Sequence, residues 1–154
     1  LCLLALTGCD ELLDAIGRDQ YLGGPPLDAE VGPADVAGEW LLTGSGRMFD
    51  CADEAYETEQ LKLDAAPLAV VQDGERITVP NPPAVAGGGR FSFVSGQVTG
   101  SRVAFVTEER LPDGDVLTLR FEGILDNLGR VAGDFEGEGP RSCSSEGQFS
   151  IEIR

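Results

Sequence analysis

Val116–Glu136 reads VLTLRFEGILDNLGRVAGDFE. Leu117, Leu119 and Phe121 fall on one face of its first run, and Arg120 and Glu122 on the other. Past Asp126–Gly129 the pattern resumes. Val131, Gly133 and Phe135 share one side, while Asp134 and Glu136 take the opposite one. A period of two belongs to extended chain, whose successive side chains point to opposite faces. The stretch therefore predicts two antiparallel strands with one apolar face and one wet face, joined by a tight turn.

The same reading extends in both directions. Gly38–Thr43 opens a first strand, and Leu61–Val71 forms a second, bent near Ala66-Pro67 because proline cannot donate to a ladder. Asp73-Gly74 is a hairpin signal, with two positions suited to positive φ. Arg76–Val79 follows, then the Pro- and Gly-rich loop Pro80–Gly89. Arg90–Val98, Arg102–Glu108, Val116–Leu125, Arg130–Glu136 and Gln148–Ile153 complete eight strands.

Phe91 and Phe93, Val103 and Phe105, and Phe149, Ile151 and Ile153 join the apolar face, so all the phenylalanines but Phe49 point inward. Burying one such side chain is worth about 1.5–3 kcal/mol, so this face decides the fold. Short turns and no amphipathic helix give an all-β, eight-stranded antiparallel up-and-down barrel, with a β-sandwich as the alternative.

The chain has 154 residues, enough for one folded domain, and 42% of them are apolar, enough for a core. Acids outnumber bases by 27 to 11, for a net charge of −16. That sign repels phosphate backbones and excludes nucleic acid as the expected partner. It also opposes docking on anionic lipid through a basic patch. Histidine is absent, which removes Ser-His-Asp and Cys-His nucleophile systems and histidine zinc sites. An enzyme here would depend on carboxylates, Tyr, Arg or the single lysine, Lys62, and no catalytic residue is assigned.

Leu1–Leu6, LCLLAL, is too short to cross a bilayer, which takes about 20 helical residues. It reads as the end of a secretory apolar region, with the earlier part of the signal missing from the chain. Leu6-Thr7-Gly8-Cys9 resembles the lipobox of bacterial lipoproteins. The resemblance implies cleavage before Cys9, acylation of its thiol and new amino terminus, and attachment to the membrane of the cell envelope. Residues 1–8 are then a signal remnant. Asp10 resembles an inner-membrane retention signal, a rule that varies among species, so the leaflet stays open. Each buried CH₂ contributes about 0.8 kcal/mol, so more than one chain anchors stably.

Residues 9–37 hold Gly23-Gly24-Pro25-Pro26 and Gly32-Pro33 with no sustained period, and read as a disordered tether spanning roughly 30 Å. The barrel domain is expected over 38–154.

With Cys9 assigned to lipid and Cys2 to the signal, Cys51 and Cys143 remain. An exported chain pairs such cysteines, against the alternative of free thiols or a metal pair. One follows the first strand and the other precedes the last. Those positions meet if the two strands are antiparallel neighbours, as an even-stranded closed meander makes them.

Gly38-x-Trp40, the eight-strand pattern and the terminal Arg154 together resemble the calycin group, which includes lipocalins. The resemblance implies Trp40 at the closed base of a barrel with Arg154 packed across it. The plainer reading of Trp40 is a core residue. Other motifs of that group are absent.

Phe49–Glu59, FDCADEAYETE, gathers carboxylates, yet lacks the Asp-x-Asp-x-Asp-Gly frame of a calcium loop and reads as a solvated loop. Asp113 and Asp115 read as a turn. No metal or cofactor is expected. The expected function is a non-catalytic, membrane-anchored envelope lipoprotein, monomeric, whose barrel is an interaction or structural module. The alternative is a lipocalin-like binder of a small apolar ligand. Inward phenylalanines in so short a barrel favour a filled interior.

Overall fold

The computed structural model describes residues 32–64, 67–83, 90–111 and 113–154. The Leu6-Thr7-Gly8-Cys9 motif, its Cys9 and the expected tether up to residue 31 lie outside the described residues.

The described chain is all-β. Nine strands follow one another: β1 (Gly38–Phe49), β2 (Thr58–Asp64), β3 (Leu68–Asp73), β4 (Arg76–Thr78), β5 (Arg90–Thr99), β6 (Arg102–Arg110), β7 (Val116–Leu125), β8 (Arg130–Glu138) and β9 (Ser144–Ile153). They form one antiparallel sheet, and pairing of β9 with β1 closes it into a ring.

Eight strands were expected and nine are present, because the second is divided. β2 and β3 lie end to end along the same edge of β1: Thr43 faces Asp64, and Trp40 faces Leu68. Pro67, without an N–H, sits in the break between them. The ring thus keeps eight positions.

β1 and β9 are each longer than their side-chain pattern. Their ladder runs from Trp40–Ile153 to Phe49–Ser144. The added portions contain Gly44, Gly46 and Gly147, which bring no apolar side chain to reveal the period. The weakest seam lies elsewhere. β4 meets β5 through the single pair Arg76–Gln97, helped by the Val98 N–H donating to the Glu75 carbonyl at 2.7 Å.

The folded unit begins at Gly32, so residues 32–37, expected in the tether, belong to the domain. Val36 is fully buried. Its N–H donates to Gln72 Oε1 (2.8 Å), and its carbonyl accepts the Trp40 indole N–H (2.7 Å). The Ala34 N–H donates to the Gly100 carbonyl (2.8 Å), and Gln72 Nε2 donates to the Ala34 carbonyl (2.9 Å). One apolar residue and a few polar anchors hold a stretch whose composition alone reads as linker.

The core is built in rows across the ladder. One row runs Gly96, Phe105, Phe121, Phe135, Gly147, Gly46, Leu61. Its neighbour runs Val98, Val103, Gly123, Gly133, Phe149, Gly44, Leu63. Phe121 and Phe135 of one row fall beside Gly123 and Gly133 of the other, and Phe149 falls beside Gly147. A Cβ added at Gly46 would stand 2.7 Å from Phe135 Cζ, and one at Gly123 would stand 2.9 Å from Phe149 Cζ. The rings lie where those side chains would be, and glycine is what allows six-membered rings to fit inside a small ring of strands.

Candidate functional site

Three regions bear on function: the seam with its disulfide, the interior, and the outer face of β5–β9. At the seam, Cys51 and Cys143 are joined by a disulfide, with their Cα atoms 4.0 Å apart and a sequence separation of 92. The bond sits just past the last β1–β9 pair, Phe49–Ser144, as the neighbour relation of the two strands requires. Cys143 is fully buried. Asp50, Arg141 and Ser142, beside the two cysteines, adopt left-handed φ of 51°, 54° and 59°. That region costs a non-glycine residue energy, so the cross-link holds a conformation the open chain would leave.

Sequence reasoning missed a contact at this end. The Arg141 guanidinium lies over the Tyr56 ring, 4.6 Å from its centroid. It ties the single helical turn Glu54–Tyr56 to the loop before β9. Asp53 caps that turn by accepting the Ala55 N–H (3.0 Å). The acidic run is thus a capped surface loop. Among the described residues no group of three or more acidic or cysteine side chains is placed to hold a metal ion. Asp113 accepts the Asp115 N–H (3.1 Å), which makes that pair a turn.

At the opposite end, Trp40 is fully buried, hydrogen-bonded to Val36 and edge-on to Phe105. Arg154 does not cross it. Its guanidinium pairs with Glu152 in the exposed C-terminal segment, and only its backbone reaches β1, through Glu39. Arg154 lies just past the end of β9, and its side chain turns outward to Glu152.

The interior is occupied by rings that meet across strands not paired in the sheet. Phe105 stacks on Phe121 with centroids 4.5 Å apart, and both meet Phe149 edge-on, at 5.9 and 5.1 Å. Phe93 stacks on Phe105 at 5.6 Å. These separations lie within the range of favourable aromatic pairs. The rings of β6 and β7 therefore reach β9 with no strand-sized gap between them.

β5–β9 shape an open depression of 1170 Å³, whose lining includes the outward Arg120, Glu122, Asp134, Glu136 and Glu146 and also the core residues Phe105, Phe121 and Phe135. The register sets Glu122 opposite Asp134, and Glu136 opposite Glu146. Like charges directly opposite in a ladder repel. Arg102 relieves Glu122 and Arg47 relieves Glu146; Glu136 also faces Arg120 across the β7–β8 ladder, while Asp134 faces the neutral Gln148 on its other side. The outward position of these acids was legible from the period of two. Which acid faces which was not, because it depends on register.

Comparison with protein-family models, with curated proteins and with solved structures finds no match to this chain.

Proposed function

We propose that this protein is a lipid-anchored component of a bacterial cell envelope, and that its β domain is a non-catalytic interaction or structural module. The observation that carries the second half is the ring contact across the interior, Phe105 to Phe149. A carrier of a small apolar molecule needs an apolar hollow, typically of about 300 Å³ or more. Here side chains take the middle of the ring, and the outer face is what meets other molecules.

The first half is supported by Leu6-Thr7-Gly8-Cys9 behind an apolar run, and by a disulfide, which persists in oxidising compartments. The absence of histidine from the sequence is in keeping with a non-catalytic role. Intact mass spectrometry of the protein extracted from membranes tests both halves. The expected species starts at Cys9, carries acyl chains, loses them on Cys9→Ser, and holds no further molecule under native conditions. An unacylated Cys9 would overturn the anchor, and a stoichiometric apolar passenger would overturn the module.

A further inference from the structure

We infer that residues 32–37 form a releasable strap. They close the Trp40 end of the ring and detach from it as a unit while the ring stays folded, with the Gln72 side chain as their clasp.

The strap is attached differently from the strands it lies on. Those are held by ladders of backbone pairs, whereas residues 32–37 belong to no strand. Four hydrogen bonds join them to the ring, and one alone runs between backbones, from the Ala34 N–H to the Gly100 carbonyl. Gln72 makes two of the others. Its Oε1 accepts the Val36 N–H, and its Nε2 donates to the Ala34 carbonyl. The last is donated by the Trp40 indole to the Val36 carbonyl. One half-buried side chain on β3 thus grips the strap at both of its bonded residues.

Burial is as uneven. Val36 is fully buried and belongs to the core with Trp40, but Asp35 and Ala37 on either side of it are exposed, and Ala34 is half-buried. One fully buried side chain therefore has to offset the ordering of the whole segment. A strand such as β7 sets Leu117, Leu119 and Phe121 and two ladders against the same kind of loss. A segment with so few buried contacts opens far more readily than the ladder beneath it.

Gly38 supplies the pivot. Its φ of 138° is open to glycine and to few other residues, and a Cβ there would stand 2.6 Å from the Arg154 carbonyl oxygen. Gly38 faces Val70 in the terminal pair of the β1–β3 ladder. Glu39 and Trp40, next along β1, are bonded on both sides, to β3 and to the Ile153-Arg154 end. Rotation at Gly38 gives up at most that terminal pair and leaves the rest of β1 in place. Release uncovers Trp40 and adds about 20 Å of extended chain to the connection between the ring and the residues before Gly32. A pull on those residues, whatever they are joined to, is taken up by the strap before it loads the β1–β9 ladder.

Amide hydrogen exchange read by nuclear magnetic resonance, at several urea concentrations below unfolding, tests the strap. The Ala34 and Val36 amides are expected to exchange on the order of 100-fold faster than the ladder amides of β6–β9, at rates nearly independent of urea, as local opening requires. Gln72→Ala is expected to cut the protection of both amides by about tenfold and to shift Trp40 emission to the red, while the Phe105–Phe149 ring contact persists. Val36 exchanging at the rate and with the urea slope of the ladder amides would overturn the inference. So would a Gln72→Ala protein that loses the Phe105–Phe149 contact together with the strap, since strap and ring would then come apart as one.

Discussion

Phe135 on β8 lies over Gly147 on β9: the two are ladder partners, and a Cβ at 147 would stand 2.5 Å from the ring's Cζ. The backbone of β1 is as close on the other side, at Ser45. An inserted methyl must therefore displace both a ring and a strand. Overpacking of this kind costs about 1–3 kcal/mol. Gly147→Ala is expected to lower the urea midpoint by a corresponding amount with the slope unchanged. Gly32→Ala, in open space and without a left-handed φ, is not expected to crowd any neighbour. An unchanged midpoint for Gly147→Ala would show that the ring does not sit there.

On the outer face the acids facing one another predict a gain. Asp134 opposes Glu122 on one side and the neutral Gln148 on the other, and Arg102 reaches Glu122. Replacing Asp134 by Asn keeps its size and removes the repulsion. Asp134→Asn is expected to stabilise the fold by about 0.2–1 kcal/mol at low salt. The gain should fade as salt screens the pair. Thermal denaturation at two ionic strengths checks this, and a destabilised variant would argue against the register.

The turn from β7 to β8 carries a pH dependence. The Asp126 carboxylate is held below its usual pKa, first by the Arg130 amide, against some desolvation, then by the Leu128 amide and the Arg130 guanidinium. A lowered folded pKa means that the ionised form stabilises the fold. That contribution is fully present above the unfolded value and is lost as pH falls through the folded one. Asp126→Ala is expected to destabilise at neutral pH and to converge with the parent in acid. Denaturation midpoints at about pH 6 and about pH 2 measure the difference, and a constant gap would refute the linkage.

The cross-link makes the largest single contribution expected. It closes a loop spanning 92 residues and fixes three left-handed residues beside it. Cys51→Ser with Cys143→Ser is expected to cost about 2–5 kcal/mol. Equilibrium unfolding with the disulfide intact and with the double variant supplies the comparison. The variant should still show the strand spectrum, because the β1–β9 ladder is complete without the sulfurs.

Much of the architecture was legible because one signal repeats. Leu117, Leu119, Phe121 and Phe135 alternate with charges, and all four are buried. Cys51 and Cys143 were expected to pair as the two cysteines left once Cys2 and Cys9 were assigned, and the order of strands agreed with that pairing. What escaped was set by contacts distant in sequence. The glycines of β1 and β9 are strand residues only because phenylalanines of other strands cover them. Val36 is core only because Trp40 and Gln72 bind its backbone. The acid pairs of the outer face needed register, which alternation alone does not supply.

The claim on which the rest stands is that rings from strands not paired in the sheet meet in the middle. Nuclear Overhauser contacts between the ring protons of Phe105 and Phe149 in the purified protein test it most directly. Contacts consistent with centroids 5.9 Å apart are expected. Rings that show contacts only to their own neighbouring strands, with solvent or a bound molecule between them, would contradict it.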